Sequence, residues 1–192
     1  GGKEKDQIQA NFPIKTNATE MLFLQHFMKK LKVGGKAAII VPEWVLFNTG
    51  HAFQEIKKIL TQDFNLHTIL SLPSWVFLPY AGVKTNVIFF DRVGSTKNIR
   101  YYEVNIERKL TKNKPITSEE LQDFLKCFKD KKLTENSWMV DINEIKDYDL
   151  SAKNPNKIKE QVHRDPKEII EDIEKNEKKI SELVENIKKI IS

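Results

Sequence analysis

The sequence predicts an α/β fold, and two observations carry that reading. Short apolar runs at 37–41, 66–72 and 85–91 alternate with segments of helical period. The first of these runs, Ala37-Ala38-Ile39-Ile40-Val41, contains no polar residue and is closed by Pro42. A run of that kind after a helix and a glycine turn suits a strand buried on both faces of a parallel sheet. Helix, strand, helix, strand, strand is half of an open α/β sheet.

Each element follows in order. Residues 1–15 are polar and glycine-led and read as a loop. Over 16–32 the positions Met21, Leu22, Leu24, Gln25, Met28 and Leu31 keep a helical period, with Thr16, Asn17 or Thr19 available as a cap. Gly34-Gly35 stops that helix. A second helix is expected over 52–60, carrying Phe53, Ile56, Ile59 and Leu60, and it leads into the strand at 66–72. No helix separates that strand from the one at 85–91, which predicts an antiparallel pair at the sheet edge. Ile99 to Val104 reads as a further strand, 118–129 as a helix, and 138–145 as a short extended piece before a polar stretch.

The tail has the clearest pattern. Ile169, Ile173, Asn176, Ile180, Leu183, Ile187 and Ile190 are spaced by alternating steps of four and three, a heptad seam interrupted by one Asn. Asp165-Pro166 supplies a cap and an N1 proline. Such a helix needs a partner, whether in its own chain, a second copy or another subunit.

Composition narrows the function classes. The charged fraction is 31% and the formal net charge +5, compatible with a polyanion without demanding one. Only four of the 32 basic residues are Arg (Arg92, Arg100, Arg108, Arg164), and bidentate reading of base edges favours Arg. The chain is therefore not an obvious reader of nucleic-acid sequence. One cysteine, Cys127, excludes an internal disulfide, and its neighbours Phe124, Leu125 and Phe128 suggest a buried structural thiol. His26 and His67 have no ligands at metal spacing, so no metal site is expected. No run approaches the roughly 18 apolar residues of a membrane span, and a cytoplasmic protein is the default expectation.

Three segments together resemble the modification subunits of type I restriction–modification systems. Gly1-Gly2-Lys3-Glu4-Lys5-Asp6-Gln7-Ile8-Gln9-Ala10-Asn11-Phe12-Pro13 resembles the stretch that follows the family's catalytic Asn-Pro-Pro-Phe. Residues 20–43, from Glu20-Met21-Leu22 to Val41-Pro42-Glu43, are similar to the next helix and strand. Residues 66–73 and 83–91, including Lys84-Thr85-Asn86-Val87-Ile88-Phe89-Phe90, are similar to the closing hairpin. The resemblance is dense to about residue 92 and thin beyond it.

The resemblance implies the C-terminal half of a Rossmann-like, S-adenosylmethionine-dependent adenine methyltransferase sheet, followed by a mainly helical region with a long heptad helix. Its expected divisions are a partial methyltransferase domain at 1–108, an extension at 109–164 and an assembly helix at 165–192. The family moves a methyl group onto the exocyclic amine of an adenine swung out of DNA, because that atom is inaccessible inside the duplex. Neither an Asn-Pro-Pro-Phe motif nor a glycine turn after a first strand occurs here; the sole Asn-Pro is Asn154-Pro155. No catalytic residue is therefore assigned, no bound cofactor is expected, and this chain alone is expected to be inactive.

The loop at 73–82 is the best site candidate. An aromatic at this place in related enzymes packs on the extruded adenine, which implies Phe77 first and Tyr80 second; the alternative is that these rings, with Trp75, plug the sheet edge. Lys84 and Lys112 are candidate contacts to the DNA backbone, against the alternative of solvated lysines. Glu43 and Trp44 follow a strand end where open α/β sheets place ligands, and are candidate pocket lining. Ile173, Asn176, Ile180, Leu183 and Ile187 form the candidate assembly surface. DNA and the specificity and restriction subunits are the implied partners, with self-association through the tail also open. The competing reading is a basic, non-catalytic nucleic-acid-binding or oligomerisation module.

Overall fold

The computed structural model describes residues 6–157 and 166–191. The chain falls into two compact units, Gly1–Lys157 and Ile158–Ser192. The expectations for Gly1–Lys5 and for the Asp165 cap lie outside the described residues.

The first unit contains a five-stranded mixed sheet: β1 (Lys36–Pro42), β2 (Asn65–Leu72), β3 (Thr85–Asp91), β4 (Asn98–Glu103) and β5 (Ser137–Asp141), in the order β1-β3-β2-β4-β5. β3 runs antiparallel to both β1 and β2, β2 is parallel to β4, and β5 is antiparallel to β4. The antiparallel pairing of β2 with β3 is as expected, but the pair is not at the edge: β3 inserts between β1 and β2, so β1, expected as a strand buried on both faces of a parallel sheet, is instead an antiparallel edge strand of this sheet that buries Ile39 and Val41 and leaves Ile40 exposed. The reason is legible in β3 itself. Ile88 and Phe90 enter one core, while Val87 and Phe89 pack against another on the opposite face. A strand with apolar groups for both faces belongs in the middle of a sheet. The extended piece expected at 138–145 is β5, an edge strand, which ends at Asp141.

Helices cover the first face. A single turn, α1 (Asp6–Gln9), lies in the segment read as a loop, followed by α2 (Thr19–Lys30), α3 (Trp44–Phe47) and α4 (His51–Gln62). α2 brings Met21, Leu24 and Met28 onto Ile39, Val41, Ile69, Ile88 and Phe90, and α4 adds Ile56 and Leu60. Full burial of one such side chain contributes about 1.5–3 kcal/mol. α2 starts at Ala18 with no side-chain cap; the Thr16 hydroxyl instead accepts from the Ala18 amide. It ends at Lys30, and Gly34 (φ 76) turns the chain into β1 with its amide on the Arg92 carbonyl.

A smaller core lies on the other face. Leu70, Leu72, Tyr102 and Val104 meet Phe124 and Cys127 of α5 (Gln122–Asp130), the helix expected over 118–129, and the thiol is buried. The stretch from Ile142 to Lys157 then returns across the sheet. Leu150 is fully buried, donates its amide to the Leu46 carbonyl at 3.0 Å and accepts from the Tyr101 hydroxyl at 3.1 Å. Asn154 reaches the Glu135 carbonyl, and Lys157 pairs with Glu103 at 2.9 Å.

The second unit is one helix, α6 (Pro166–Ile191), of 26 residues. At 1.5 Å per residue it is about 39 Å long. Ile173, Ile180 and Leu183 are exposed, as are Ile170 and Val184 beside them. Among the described residues no helix is long and apolar enough to cross a membrane.

Candidate functional site

The C-terminal ends of β1 and β2 meet the start of β3, where Thr85 pairs with both Pro42 and Leu72. Three of the residues singled out from the sequence converge here. The Glu43 amide donates to the Lys84 carbonyl at 3.0 Å, and the Lys84 ammonium lies 2.9 Å from Glu43 Oε1. Trp44, the first residue of α3, packs its ring on Phe53 at 5.4 Å between centroids. Glu43 is thus a partner of Lys84, and Trp44 is half-buried against α4. A half-exposed ion pair of this kind contributes about 0–1 kcal/mol, so Lys84 keeps its charge available at the surface at little cost to the fold.

Between β2 and β3 the chain forms an aromatic loop, 73–84. Inside it the Leu78 amide bonds to the Trp75 carbonyl (3.3 Å), and the amides of Tyr80 and Ala81 bond to the Phe77 carbonyl (2.8 and 3.0 Å). Phe77 is half-buried and packs with Val76 against the Leu70, Leu72 and Tyr102 core. Tyr80, at the tip, is 93% exposed. The two candidates therefore differ in kind: Phe77 is packed against the protein, whereas the Tyr80 side chain is open to solvent.

Beneath this loop, Thr85 and Asn86 are buried, and Thr85 Oγ1 and Asn86 Nδ2 have no hydrogen-bond partner among the described residues. An unpaired buried polar atom is uncommon and costs about 1–3 kcal/mol. Sequence reasoning missed both, because alternation alone assigns them to a strand without saying how deep its first residues lie.

Lys112 sits elsewhere, exposed in a turn bridged by Thr111 and Lys114 and anchored by buried Leu110. Arg108 steadies that turn by donating to the carbonyls of Lys114 and Pro115 and to Glu120. In α6, Ile173, Asn176, Ile180 and Leu183 are exposed, whereas the side chain of Ile187 lies outside the described residues.

One buried cation was also missed. Lys57 of α4 is 1% exposed, and its ammonium donates to the carbonyls of Leu46 (2.8 Å) and Asn48 (2.9 Å). Burial pushes it down to about 8, opposed by the charge of Asp149. The signal was present: Lys57 lies three residues before Leu60 and four after Phe53, on the apolar stripe of its helix. His67, at a bulge in β2, is also lowered by burial, with Asp91 opposing. Tyr102 is raised by burial and by its short hydrogen bond to Asp123. Among the described residues no group of His, Cys, Asp and Glu is arranged to hold a metal.

Residues 2–165 match the family model described as N-6 DNA Methylase. The chain is 37% identical over 169 residues to the type I restriction enzyme EcoEI methylase subunit of Escherichia coli, covering 81% of this chain and 34% of that protein. It is 32% identical over 172 residues to the EcoKI methylase subunit of Escherichia coli K12, covering 81% and 32%. The chain thus spans about a third of the length of these relatives. Among solved structures, it superposes on a modification subunit of a type I restriction enzyme from Vibrio vulnificus YJ016 with a TM-score of 0.78 at 40% identity, covering 81% of this chain and 36% of that one. A chain from work on complex assembly and conformational transition of the type I R-M system gives 0.77 at 41% identity, over 100% of this chain and 43% of that one. With the family model matching most of its length, the chain belongs to the N-6 DNA methylase family, and it is similar to the methylase subunits of type I restriction enzymes.

Proposed function

We propose that this chain is the target-base side of an adenine-N6 DNA methyltransferase of a type I restriction–modification system, the C-terminal half of its Rossmann-like sheet together with an assembly helix. The observation that carries this is the loop after β2, which holds Phe77 half-buried at the strand ends where open α/β sheets bind ligands. Phe77 stacks on the extruded adenine, and a ring already braced on one side loses little freedom when a base covers the other. Tyr80, at the exposed tip, meets the flanking DNA, and Lys84 and Lys112 lie against phosphates.

The described residues do not fit S-adenosylmethionine. The turn after β1 is Pro42-Glu43-Trp44, without the glycine that a close backbone approach to the cofactor requires, and Gly34-Gly35 lies in a helix-to-strand turn. The cofactor and the clamp on the adenine amine belong to the remainder of the subunit, so this chain by itself transfers no methyl group. The parent enzyme works with a specificity subunit that reads DNA and a restriction subunit, and α6 supplies the surface that joins them through Ile173, Asn176, Ile180, Leu183 and Ile187. The small share of Arg among its cations fits that division of labour.

The test is Phe77→Ala in the full-length subunit assembled with its specificity subunit, read as affinity for a duplex whose target adenine is present but mismatched, so that extrusion costs little and the base can still stack. Loss of stacking weakens binding by about 1–3 kcal/mol; unchanged affinity removes Phe77 from the site.

A further inference from the structure

The indole of Trp75 lies on the backbone of Gly82. A Cβ at Gly82 would fall 2.3 Å from Cζ3, 2.6 Å from Cε3 and 3.1 Å from Cη2 of that ring. Gly82 is not in a left-handed conformation, so its lack of a side chain answers to space, namely the space the indole occupies. Trp75 itself holds φ 72, a region that favours glycine and is uncommon for a bulky side chain. Such a conformation persists only where surrounding contacts over-determine it. Trp75 is 50% exposed, so its ring is no core plug; its contact is with the far end of its own loop. Between the two residues, the amides of Leu78, Tyr80 and Ala81 fold back onto the carbonyls of Trp75 and Phe77.

We propose that Trp75 and Gly82 form a clamp closing the base of the aromatic loop, which makes both positioning residues for Phe77; this rests on the reading of Phe77 given above. The indole pins the two ends of the loop together and leaves the backbone bonds at Phe77 to fix its ring against the Leu70, Leu72 and Tyr102 core. Without the contact the loop keeps its sequence but loses the geometry that aims Phe77.

The clamp is tested as a double-mutant cycle in the full-length subunit assembled with its specificity subunit. Gly82→Ala should lower affinity for the duplex with a mismatched target adenine about tenfold, whereas in a Trp75→Gly background the same change should alter affinity less than about twofold. Trp75→Gly suits the left-handed backbone and removes the indole, so the added methyl then meets open space. A second readout needs no DNA: chymotryptic cleavage after Phe77 and Tyr80, mapped by mass spectrometry. Gly82→Ala should accelerate it several-fold in the parent and leave it unchanged in the Trp75→Gly background. Equal effects of Gly82→Ala in the two backgrounds, in cleavage and in affinity, would overturn the clamp. If Phe77→Ala leaves affinity unchanged, base stacking fails instead, and the cleavage cycle still decides the clamp.

Discussion

The ammonium of Lys57 sits 2.8 Å from the carbonyl oxygen of Leu46, in the interior of the domain. The same carbonyl accepts the amide of Leu150, so one peptide group ties α4, the end of α3 and the returning 142–157 stretch together. α3 begins at Trp44, beside the Glu43–Lys84 pair, and this places Lys57 behind the strand-end face. Lys57→Met keeps the buried stem and removes the ammonium from the Leu46 and Asn48 carbonyls, leaving Leu46 with the Leu150 amide. Stability should fall by about 1–3 kcal/mol, measured by urea unfolding.

The same residue sets a pH dependence. Burial holds its ammonium at about 8 in the folded protein against 10.5 when exposed. Between those values the unfolded chain binds more protons than the native one, so stability contributed at Lys57 rises with pH across that window and is flat below it. The advantage of the parent over Lys57→Met should therefore widen between about pH 8 and pH 10. An advantage that is constant or shrinks there would show that the buried amine is not the titrating group.

Lys84 is expected to matter to DNA and not to the fold. Among the described residues its ion pair is the half-exposed one with Glu43, so Lys84→Ala should change stability by less than about 1 kcal/mol. If it meets a phosphate, the same change reduces the slope of log affinity against log salt by about one. An unaltered slope in the full-length assembly would return Lys84 to a purely local role with Glu43.

The tail makes a separable prediction. Ile180 and Leu183 are each about three-fifths exposed on α6 (60% and 61%). Ile180→Asp with Leu183→Asp should leave thermal unfolding of the first unit unchanged while abolishing co-purification with the specificity subunit. Retained assembly would place the subunit contact elsewhere.

Much of this molecule was legible in sequence because its signals were periodic. The stripe from Met21 to Met28 and the run from Ala37 to Val41 announced α2 and β1, and both are there. The place of β3 was not, because strand order depends on which faces are buried and not on order along the chain. Phe77 and Tyr80 could be named as loop aromatics, but only the fold distinguishes a packed ring from an exposed one. The Trp75–Gly82 contact and the depth of Lys57, Thr85 and Asn86 arise from tertiary packing, which leaves little trace in a single sequence.

The most direct measurement places 2-aminopurine at the target adenine of a duplex bound by the full-length subunit and its specificity subunit. A base extruded and stacked on Phe77 is quenched by the ring, so Phe77→Ala should brighten its emission severalfold, while Tyr80→Ala changes the emission little; on the matching duplex with adenine at the target, Phe77→Ala should slow methyl transfer. Identical emission from the parent and Phe77→Ala would contradict the assignment of this loop to the target base.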